Sequence, residues 1–318
     1  MNNKITLGIS SCLIGENVRW NGDHKQDKYI CEILGNYFNY IPICPEVEVG
    51  MGVPREAVAL YGDLTKTKMK GQTSKTDWTE KMDLYINEKL EVLSDKNLCG
   101  YIFKSRSPSC GLENIPVHPE EGFQKASQGT GLFAKAFMKS YPLVPIEEEG
   151  RLNDDKIKEN FIIKVFSFHR LKASLLKKGA GTGALVNFHT QNKFLILAHS
   201  RKHYETLGRI VANVNPHDWN TALISYIELF MESFTFKTTN KKNTDVLLHM
   251  LGFFKKILLK PDKKDLLDKI EDYRNGLIPL IVPITLIQHY VKKYKIKYLE
   301  DQIYLNPYPK ELMLKNDL

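Results

Sequence analysis

The chain has 318 residues, of which 42% are hydrophobic and 26% charged, a composition typical of a globular protein and not of a disordered or fibrous one. It has no apolar run near the roughly 20 residues that a membrane-spanning helix needs, and its start, "MNNKITLGISSCLIG", lacks the apolar segment of a signal peptide, so we expect a cytoplasmic protein with no membrane partner. The net charge of +8 is uneven, because residues 1–155 carry −4 and the remainder carries +12, and this asymmetry indicates two units with different partners.

In the first half, short apolar runs alternate with helical patterns. Strands are predicted at 5–10, 40–45, 99–104 and 143–152, and helices at 28–39, 77–95 and 129–142. Such alternation favours a parallel sheet with helices on its faces. We therefore predict that residues 1–152 form an α/β domain with an open, mainly parallel sheet and helices on both faces.

From residue 153 onward the pattern changes to apolar residues spaced three and four positions apart. Asp218 and Asp262 are predicted to begin two of the helical segments, and Gly276 to follow the end of one. No alternating strand pattern is evident there. The sequence therefore predicts an all-α domain over residues 153–318.

Three of the five cysteines follow predicted strands. Cys12 comes directly after the first strand, Cys44 closes the second, and Cys110 lies a short loop beyond the third. The carboxyl ends of parallel strands share one edge of a sheet, where ligands bind. We expect these three side chains to converge, whereas Cys31 lies within a helical pattern and Cys99 begins its strand at the opposite edge.

The residues around the three cysteines suit a charged cofactor or substrate. Hydroxyl groups that can bond to sulfur or substrate come from Ser10, Ser11, Ser107 and Ser109, and cations that can balance thiolates come from Arg19, Arg55, Lys104 and Arg106. Two further pairs of neighbouring residues each have two open interpretations. Asp23 with His24 forms a proton relay or only turn chemistry. Arg55 with Glu56 binds substrate or forms a structural ion pair.

Three thiolates suit an iron–sulfur cluster better than zinc. Structural zinc takes four ligands, often from CxxC pairs, and the chain contains no CxxC. A 4Fe-4S cluster normally takes four cysteines, so three would leave one iron open as a Lewis acid. On spacing alone, three unrelated loop cysteines remain the alternative.

Three sequence blocks resemble the signature blocks of the thiouracil desulfidase family. They are "SSCLIGENVRWNGDHK", "CPEVEVGMGVPRE" and "SRSPSCG". The second half resembles the YbgA-like helical domain in "FSFHRLK", "HSRKHYETLGRI", "LLHMLGFFKK" and "YRNGLIPLIVPITLIQHY". Together the two resemblances span nearly the whole chain.

The resemblance implies a 4Fe-4S-dependent enzyme that removes sulfur from a thiolated, thiouracil-like pyrimidine and releases it as sulfide. In that family three cysteines hold the cluster, matching Cys12, Cys44 and Cys110, and the substrate's sulfur binds the open iron. The family's catalytic acid matches Glu46 and its catalytic serine matches Ser107. Substrate contacts are expected from Ser11, Ser109, Arg19, Asp23 and Arg55. The long helical domain is the main difference from the minimal enzyme.

A second class of function is nucleic-acid binding by the basic helical domain, with the cysteine site structural or acting on thiolated bases. The lysines that suggest it are interleaved with Tyr and Phe, and are Lys172, Lys177, Lys178, Lys255, Lys256, Lys263, Lys264, Lys292 and Lys293. Solvated helix faces are the simpler interpretation. His199 and His203 have a spacing that can bind metal, but no carboxylate accompanies them as in HExxH, which favours local hydrogen bonds.

Overall fold

The computed structural model describes residues 4–120, 127–312 and 314–315. The chain divides into two compact units, the first ending at Ile157 and the second beginning at Lys158. None of the helices among the described residues combines the length and apolarity needed to cross a bilayer.

The first unit combines strands and helices. Its strands are β1 (Ile5–Ser10), β2 (Phe38–Ile43), β3 (Val58–Gly62), β4 (Thr67–Gly71), β5 (Tyr101–Phe103), β6 (Ile115–His118), β7 (Ser127–Gly129) and β8 (Ile146–Glu148). Its helices are α1 (Pro45–Glu48), α2 (Thr79–Ser94) and α3 (Leu132–Ser140).

The first sheet is parallel throughout and has the strand order β2-β1-β5-β8. Ser10 pairs with Ile43 in the register of β1 and β2, so these two strands end at the same level. The segments that follow β1, β2 and β5 therefore begin at one edge of the sheet. This confirms the predicted parallel sheet and its α/β class.

A second, mixed sheet of order β4-β3-β6-β7 was absent from the sequence prediction. β3 and β4 form an antiparallel pair, β6 runs parallel to β3, and β7 returns antiparallel. The strands are only three to five residues long, and β7 is largely exposed. Such short, half-exposed strands give weak sequence patterns.

The helix predicted at 28–39 is instead a π-helical turn, Tyr29–Ile33, followed by a 3-10 turn, Leu34–Asn36. β2 begins at Phe38. The apolar residues of the predicted helix therefore belong first to the two turns and then to the start of the strand. The helix predicted at 77–95 forms as α2, and the Asp77 carboxylate accepts a 2.9 Å hydrogen bond from the Thr79 N–H at its start.

An aromatic cluster fills the core beneath the parallel sheet. The Tyr101 and Phe103 rings of β5 stack with their centroids 3.9 Å apart, and they pack against Phe133 and Phe137 of α3 with centroids 5.0 to 6.2 Å apart. A Cβ added to Gly8 of β1 would lie 2.2 Å from the Tyr101 ring, so only glycine permits this approach. The cluster fixes β5, which carries the segment that leads to Cys110.

The second unit is helical, as predicted. It contains all but the first three residues of α4 (Asp155–Leu175). Its other helices are α5 (Thr182–His199), α6 (Arg201–Asn213), α7 (Trp219–Ser233), α8 (Asn240–Gly252), α9 (Lys260–Arg274), α10 (Ile281–Tyr294) and α11 (Lys297–Glu300). Asp218 precedes α7, and Gly276 follows α9 with φ of 73°. Asp262 was placed wrongly at a helix start, because α9 begins earlier, at Lys260, and Asp262 lies in its first turn.

His199 and His203 do not share a helix face, because α5 ends at His199 and α6 begins at Arg201. His199 Nδ1 lies 2.8 Å from the Phe236 carbonyl, and His203 Nδ1 lies 2.8 Å from Ser200 Oγ. Burial lowers the pKa of His199 to about 4. His203 therefore makes the local hydrogen bond that the simpler interpretation expects, whereas the partner of His199 lies 37 residues away in sequence.

Candidate functional site

A cavity of about 420 Å³ lies at the carboxyl edge of the parallel sheet in the first unit. Cys12, Cys44 and Cys110 all line it. Its volume is within the range of small-molecule sites, roughly 300–1,000 Å³. The strand ends have thus brought together three side chains that are far apart in sequence.

Each of the first two cysteines is placed by a turn directly after its strand. Cys12 lies in a 3-10 turn, Ser11–Ile14, and its carbonyl accepts a 2.8 Å hydrogen bond from the Lys25 N–H. Cys44 links β2 to α1, and its carbonyl accepts the Val47 and Glu48 N–H groups at 3.1 and 2.9 Å. Both backbones are therefore held by hydrogen bonds at the cavity.

The loop that carries Cys110 is held by the first turn of α3. The carbonyls of Pro108 and Ser109 accept the N–H groups of Leu132 and Ala134 at 3.0 and 3.1 Å. A Cβ on Gly131 would come within 2.5 Å of the Ser109 carbonyl carbon. Glycine at this position allows the helix to approach the loop closely enough for these bonds.

Burial raises the pKa of all three cysteine thiols at the cavity. Burial raises the pKa of Cys12 to about 11, although Lys104 and Arg19 oppose this rise. Burial also raises the pKa of Cys44, and raises that of Cys110 well above its usual range. In the metal-free chain all three are protonated at neutral pH, and binding a metal as thiolates would release protons.

Glu46, directly after Cys44 and Pro45, is held from two sides. Arg55 donates to its Oε2 from Nη2 at 2.6 Å and from Nε at 3.1 Å. Ser109 Oγ donates to its Oε1 at 2.9 Å, and Ser107 Oγ lies 3.4 Å from the same oxygen. The Glu46 side chain is 13% exposed and borders the cavity.

Ser107 is arranged as a hydrogen-bond donor. Its Oγ accepts the N–H groups of Ser109 and Cys110 at 3.2 and 3.1 Å. A hydroxyl has two acceptor positions and one proton. With both acceptor positions filled, the remaining capacity of Ser107 is to donate that proton toward Glu46 or a ligand in the cavity.

The remaining wall is basic, with one exposed aromatic ring. The cations that line it are Arg19, Lys25, Arg55, Lys104 and Arg106. Lys104 is paired with Glu149, which also accepts the Ser105 N–H at 2.7 Å. Trp20 lines the same cavity and is 49% exposed. Such a lining suits a flat, electron-rich ligand.

The five expected substrate residues occupy different places. Ser11, Arg19 and Arg55 line the cavity. Ser109 is fully buried and faces Glu46. Asp23 is exposed, does not line the cavity, and accepts the His24 N–H at 2.7 Å, which is turn chemistry.

Trp20 and Lys25, which line the cavity, and Glu149, which pairs with the lining residue Lys104, were missed from the sequence. Trp20 and Lys25 lie beside residues that were considered, and Glu149 belongs to the predicted last strand segment. The sequence signal available for Trp20 was a tryptophan within a polar stretch, "GENVRWNGDHK". Nothing in the sequence spacing indicates that Glu149 meets Lys104, because 45 residues separate them.

Within the described ranges no group of three or more His, Cys, Asp or Glu side chains has the close spacing of a single-ion site. A cubane cluster binds each cysteine through a different iron, so its ligands stand farther apart than those of one ion. Two buried thiols, Cys12 and Cys110, and the partly buried thiol of Cys44 surround one cavity with cations nearby, and together they form a donor set that soft metals prefer.

The first unit has relatives among known proteins. Residues 7–149 match the family model described as 2-thiouracil desulfurase. Over 154 residues the chain is 31% identical to the uncharacterized protein YbbK of Bacillus subtilis (strain 168), a match that covers 97% of that relative and 46% of this chain. The chain belongs to the 2-thiouracil desulfurase family. All residues that line the cavity fall within the matched range, 7–149.

The second unit matches a different family. Residues 193–309 match the model described as a protein of unknown function, DUF1722. The uncharacterized protein YbgA of Escherichia coli (strain K12) is 29% identical over 169 residues, covering 98% of that relative and 52% of this chain. Both resemblances seen in the sequence are thereby confirmed.

One solved structure is also similar to part of this 2-thiouracil desulfurase family member. It is titled as a [4Fe-4S]-dependent thiouracil desulfidase, TudS. Its TM-score is 0.38 at 24% identity, and the match covers 48% of this chain and 95% of that chain.

Proposed function

We propose that the protein is a desulfidase that removes the sulfur atom of a thiolated pyrimidine, such as thiouracil, and releases it as sulfide. The observation that carries this proposal is the single cavity lined by Cys12, Cys44, Cys110, Glu46 and Ser107 in a unit of the 2-thiouracil desulfurase family. The family supports carbon–sulfur cleavage, and the cavity supplies groups suited to it.

Cys12, Cys44 and Cys110 would hold a 4Fe-4S cluster as its three protein ligands. When bound in this way, the cluster supplies one iron without a protein ligand, a Lewis-acidic position for the substrate's sulfur. Lys104 and Arg19, whose charges act on Cys12, would offset part of the negative charge of the thiolates.

The net reaction is a hydrolysis, in which a thiocarbonyl compound and water give a carbonyl compound and hydrogen sulfide. No oxidant or reductant is needed, because the carbon keeps its oxidation state. Glu46 Oε1 would accept a proton from the attacking water and later return it to the departing sulfur. Ser107 would donate its proton as a hydrogen bond to the negative charge that develops on the ring.

The experiment that tests this proposal is a desulfuration assay on the anaerobically prepared, iron-loaded full chain. Thiouracil should be converted to uracil with release of one sulfide per uracil formed. Cys44→Ala protein should form neither product. Full activity and full iron content in Cys44→Ala would refute the assignment of the site.

A second candidate is nucleic-acid binding by the helical unit, and the uneven charge favours it. The residues after 155 carry +12. Cations there also lie over aromatic rings, with Lys193 Nζ 4.9 Å from the Tyr298 ring centroid and Lys293 Nζ 5.3 Å from that of Tyr294. Such a surface could bring a thiolated base within an RNA to the protein.

Binding to unmodified and thiolated RNA over a range of salt concentrations tests this second candidate. Phosphate contacts predict that the logarithm of the binding constant falls linearly with the logarithm of the salt concentration. Desulfuration of free thiouracil with no RNA binding would leave the first function alone.

A further inference from the structure

Almost all of the hydrogen-bond donors of the Arg55 side chain have acceptors within the protein. A guanidinium has five N–H donors. Nε and Nη2 both donate to Glu46 Oε2, and Nη1 donates to the carbonyls of Val18 and Gly52, each at 3.0 Å. The side chain is 5% exposed. Four of the five donors therefore have a protein acceptor, which leaves one for any ligand.

We propose that Arg55 is a positioning residue, which fixes one oxygen of Glu46 so that the other is presented to the reaction. This inference rests on the proposed desulfidase function. It replaces the expectation that Arg55 and Ser109 contact substrate.

The two oxygens of Glu46 have separate partners. Both contacts from Arg55 fall on Oε2, while Ser107 and Ser109 face Oε1. Ser109 has no exposed surface and so cannot reach a substrate, whereas Ser107 lines the cavity. Oε1 is thus the Glu46 oxygen that is available to exchange a proton in the reaction. Ser109 is a second positioning residue, which holds Oε1 beside Ser107.

Arg55 also joins the loops that follow β1 and β2. Its backbone N–H donates to the Trp20 carbonyl at 2.8 Å, and its side chain reaches the Val18 carbonyl. The Cys44 thiol lies 3.7 Å from that same carbonyl. A purely structural role for Arg55 is therefore the main competing explanation, and the experiment must separate the two.

The test compares Arg55→Ala with the unchanged protein, both as iron-loaded full chains acting on thiouracil. We expect kcat to fall roughly 10- to 100-fold, the usual effect of removing a group that orients a reacting one. The KM and the iron content should stay within about twofold of the unchanged protein, an allowance set by the size of ordinary context effects. Guanidinium at non-denaturing concentrations should restore part of kcat in this variant alone.

An arginine away from the cavity serves as the matched control. Arg151 forms exposed ion pairs with Glu113 and Glu147 in the same unit, so Arg151→Ala should change neither constant.

A crystal structure of metal-free Arg55→Ala gives a measurement that does not depend on activity. We expect residues 44–48 to keep their backbone while the Glu46 carboxylate turns away from Ser109. An unmoved carboxylate would overturn the proposal. So would a raised KM with unchanged kcat, or a loss of iron that guanidinium does not restore.

The unchanged protein distinguishes failure of the function from failure of this inference. If it is iron-loaded yet releases no sulfide from thiouracil, the proposed function fails and the inference fails with it. If it is active and Arg55→Ala keeps its kcat, the inference alone fails.

Discussion

The hydroxyl of Ser10 connects the two segments that carry Cys12 and Cys110. Its Oγ accepts a 2.9 Å hydrogen bond from the Lys104 N–H, across 94 residues of sequence. Its hydroxyl also bonds to the Cys110 sulfur, which opposes the rise that burial imposes on the pKa of that thiol. One buried serine at the end of β1, two residues before Cys12, thus contacts both Lys104 and the Cys110 sulfur.

Ser10→Ala should weaken both the fold and the metal site. The substitution leaves the Lys104 N–H without its partner, and an unsatisfied buried group costs about 1–3 kcal/mol. We expect a lower thermal midpoint and less iron retained per chain after gel filtration. Ser94→Ala is the control, because this exposed serine only donates to the Glu91 carbonyl within α2. Unchanged iron retention in Ser10→Ala would contradict the role given to Ser10.

The five cysteines should separate into two groups when each is changed to alanine. Changing Cys12, Cys44 or Cys110 should abolish the iron-dependent absorbance, since each would supply one ligand. Cys31→Ala and Cys99→Ala should retain it, because neither residue lines the cavity and the Cys31 thiol lies 3.7 Å from the Leu13 carbonyl. Iron analysis and visible spectra of anaerobic samples decide this, and equal iron loss in all variants would argue against a specific site.

Trp20 should act as a stacking surface for the substrate ring. It lines the cavity with half of its surface exposed, and stacking of a base on an aromatic ring is worth roughly 1–3 kcal/mol. Trp20→Ala should therefore raise the KM for thiouracil about 5- to 100-fold with little change in kcat, since each 1.4 kcal/mol is a factor of ten.

Trp20→Tyr provides the matched control, because it keeps an aromatic face. Its KM should stay near that of the unchanged protein. A KM that is equally raised in both variants would mean that Trp20 supports the loop and does not stack on the substrate.

His199 should make the stability of the chain depend on pH. Burial, together with Lys242 and Lys164, holds its pKa near 4 in the folded state, against 6.5 when unfolded. Between these values the unfolded chain binds a proton that the folded chain does not, so stability falls as the pH drops from 6.5 toward 4. The loss amounts to roughly 3 kcal/mol at most, at 1.36 kcal/mol per pH unit.

Urea unfolding of the full chain at several pH values measures this dependence. His199→Asn should lower stability at pH 7 and flatten the decline below 6.5, because it removes the titrating ring. An unaltered decline in His199→Asn would show that other groups are responsible.

The sequence anticipated the convergence of Cys12, Cys44 and Cys110 because strand ends follow from local apolar runs. It could not anticipate that Ser109 bonds to Glu46, 63 residues away, since that contact depends on how the loop after β5 packs on α3. A serine beside a cysteine looks equally suited to substrate or to a neighbouring carboxylate. Only packing shows that Ser109 is buried.

The second sheet escaped prediction for a different reason. In β4 the buried positions are Met69 and Gly71, set among lysines and threonines, and β6 includes a proline. Such segments gain their strand character from pairing with β3 and not from their own composition. The helices of the second unit were recognisable because their apolar spacing continues over many turns.

Iron and acid-labile sulfide content after strictly anaerobic purification and reconstitution decides whether Cys12, Cys44 and Cys110 hold a 4Fe-4S cluster. We expect a brown protein with about four iron and four sulfide per chain, the composition of one 4Fe-4S cluster. A colourless protein that binds no iron under these conditions would contradict this expectation.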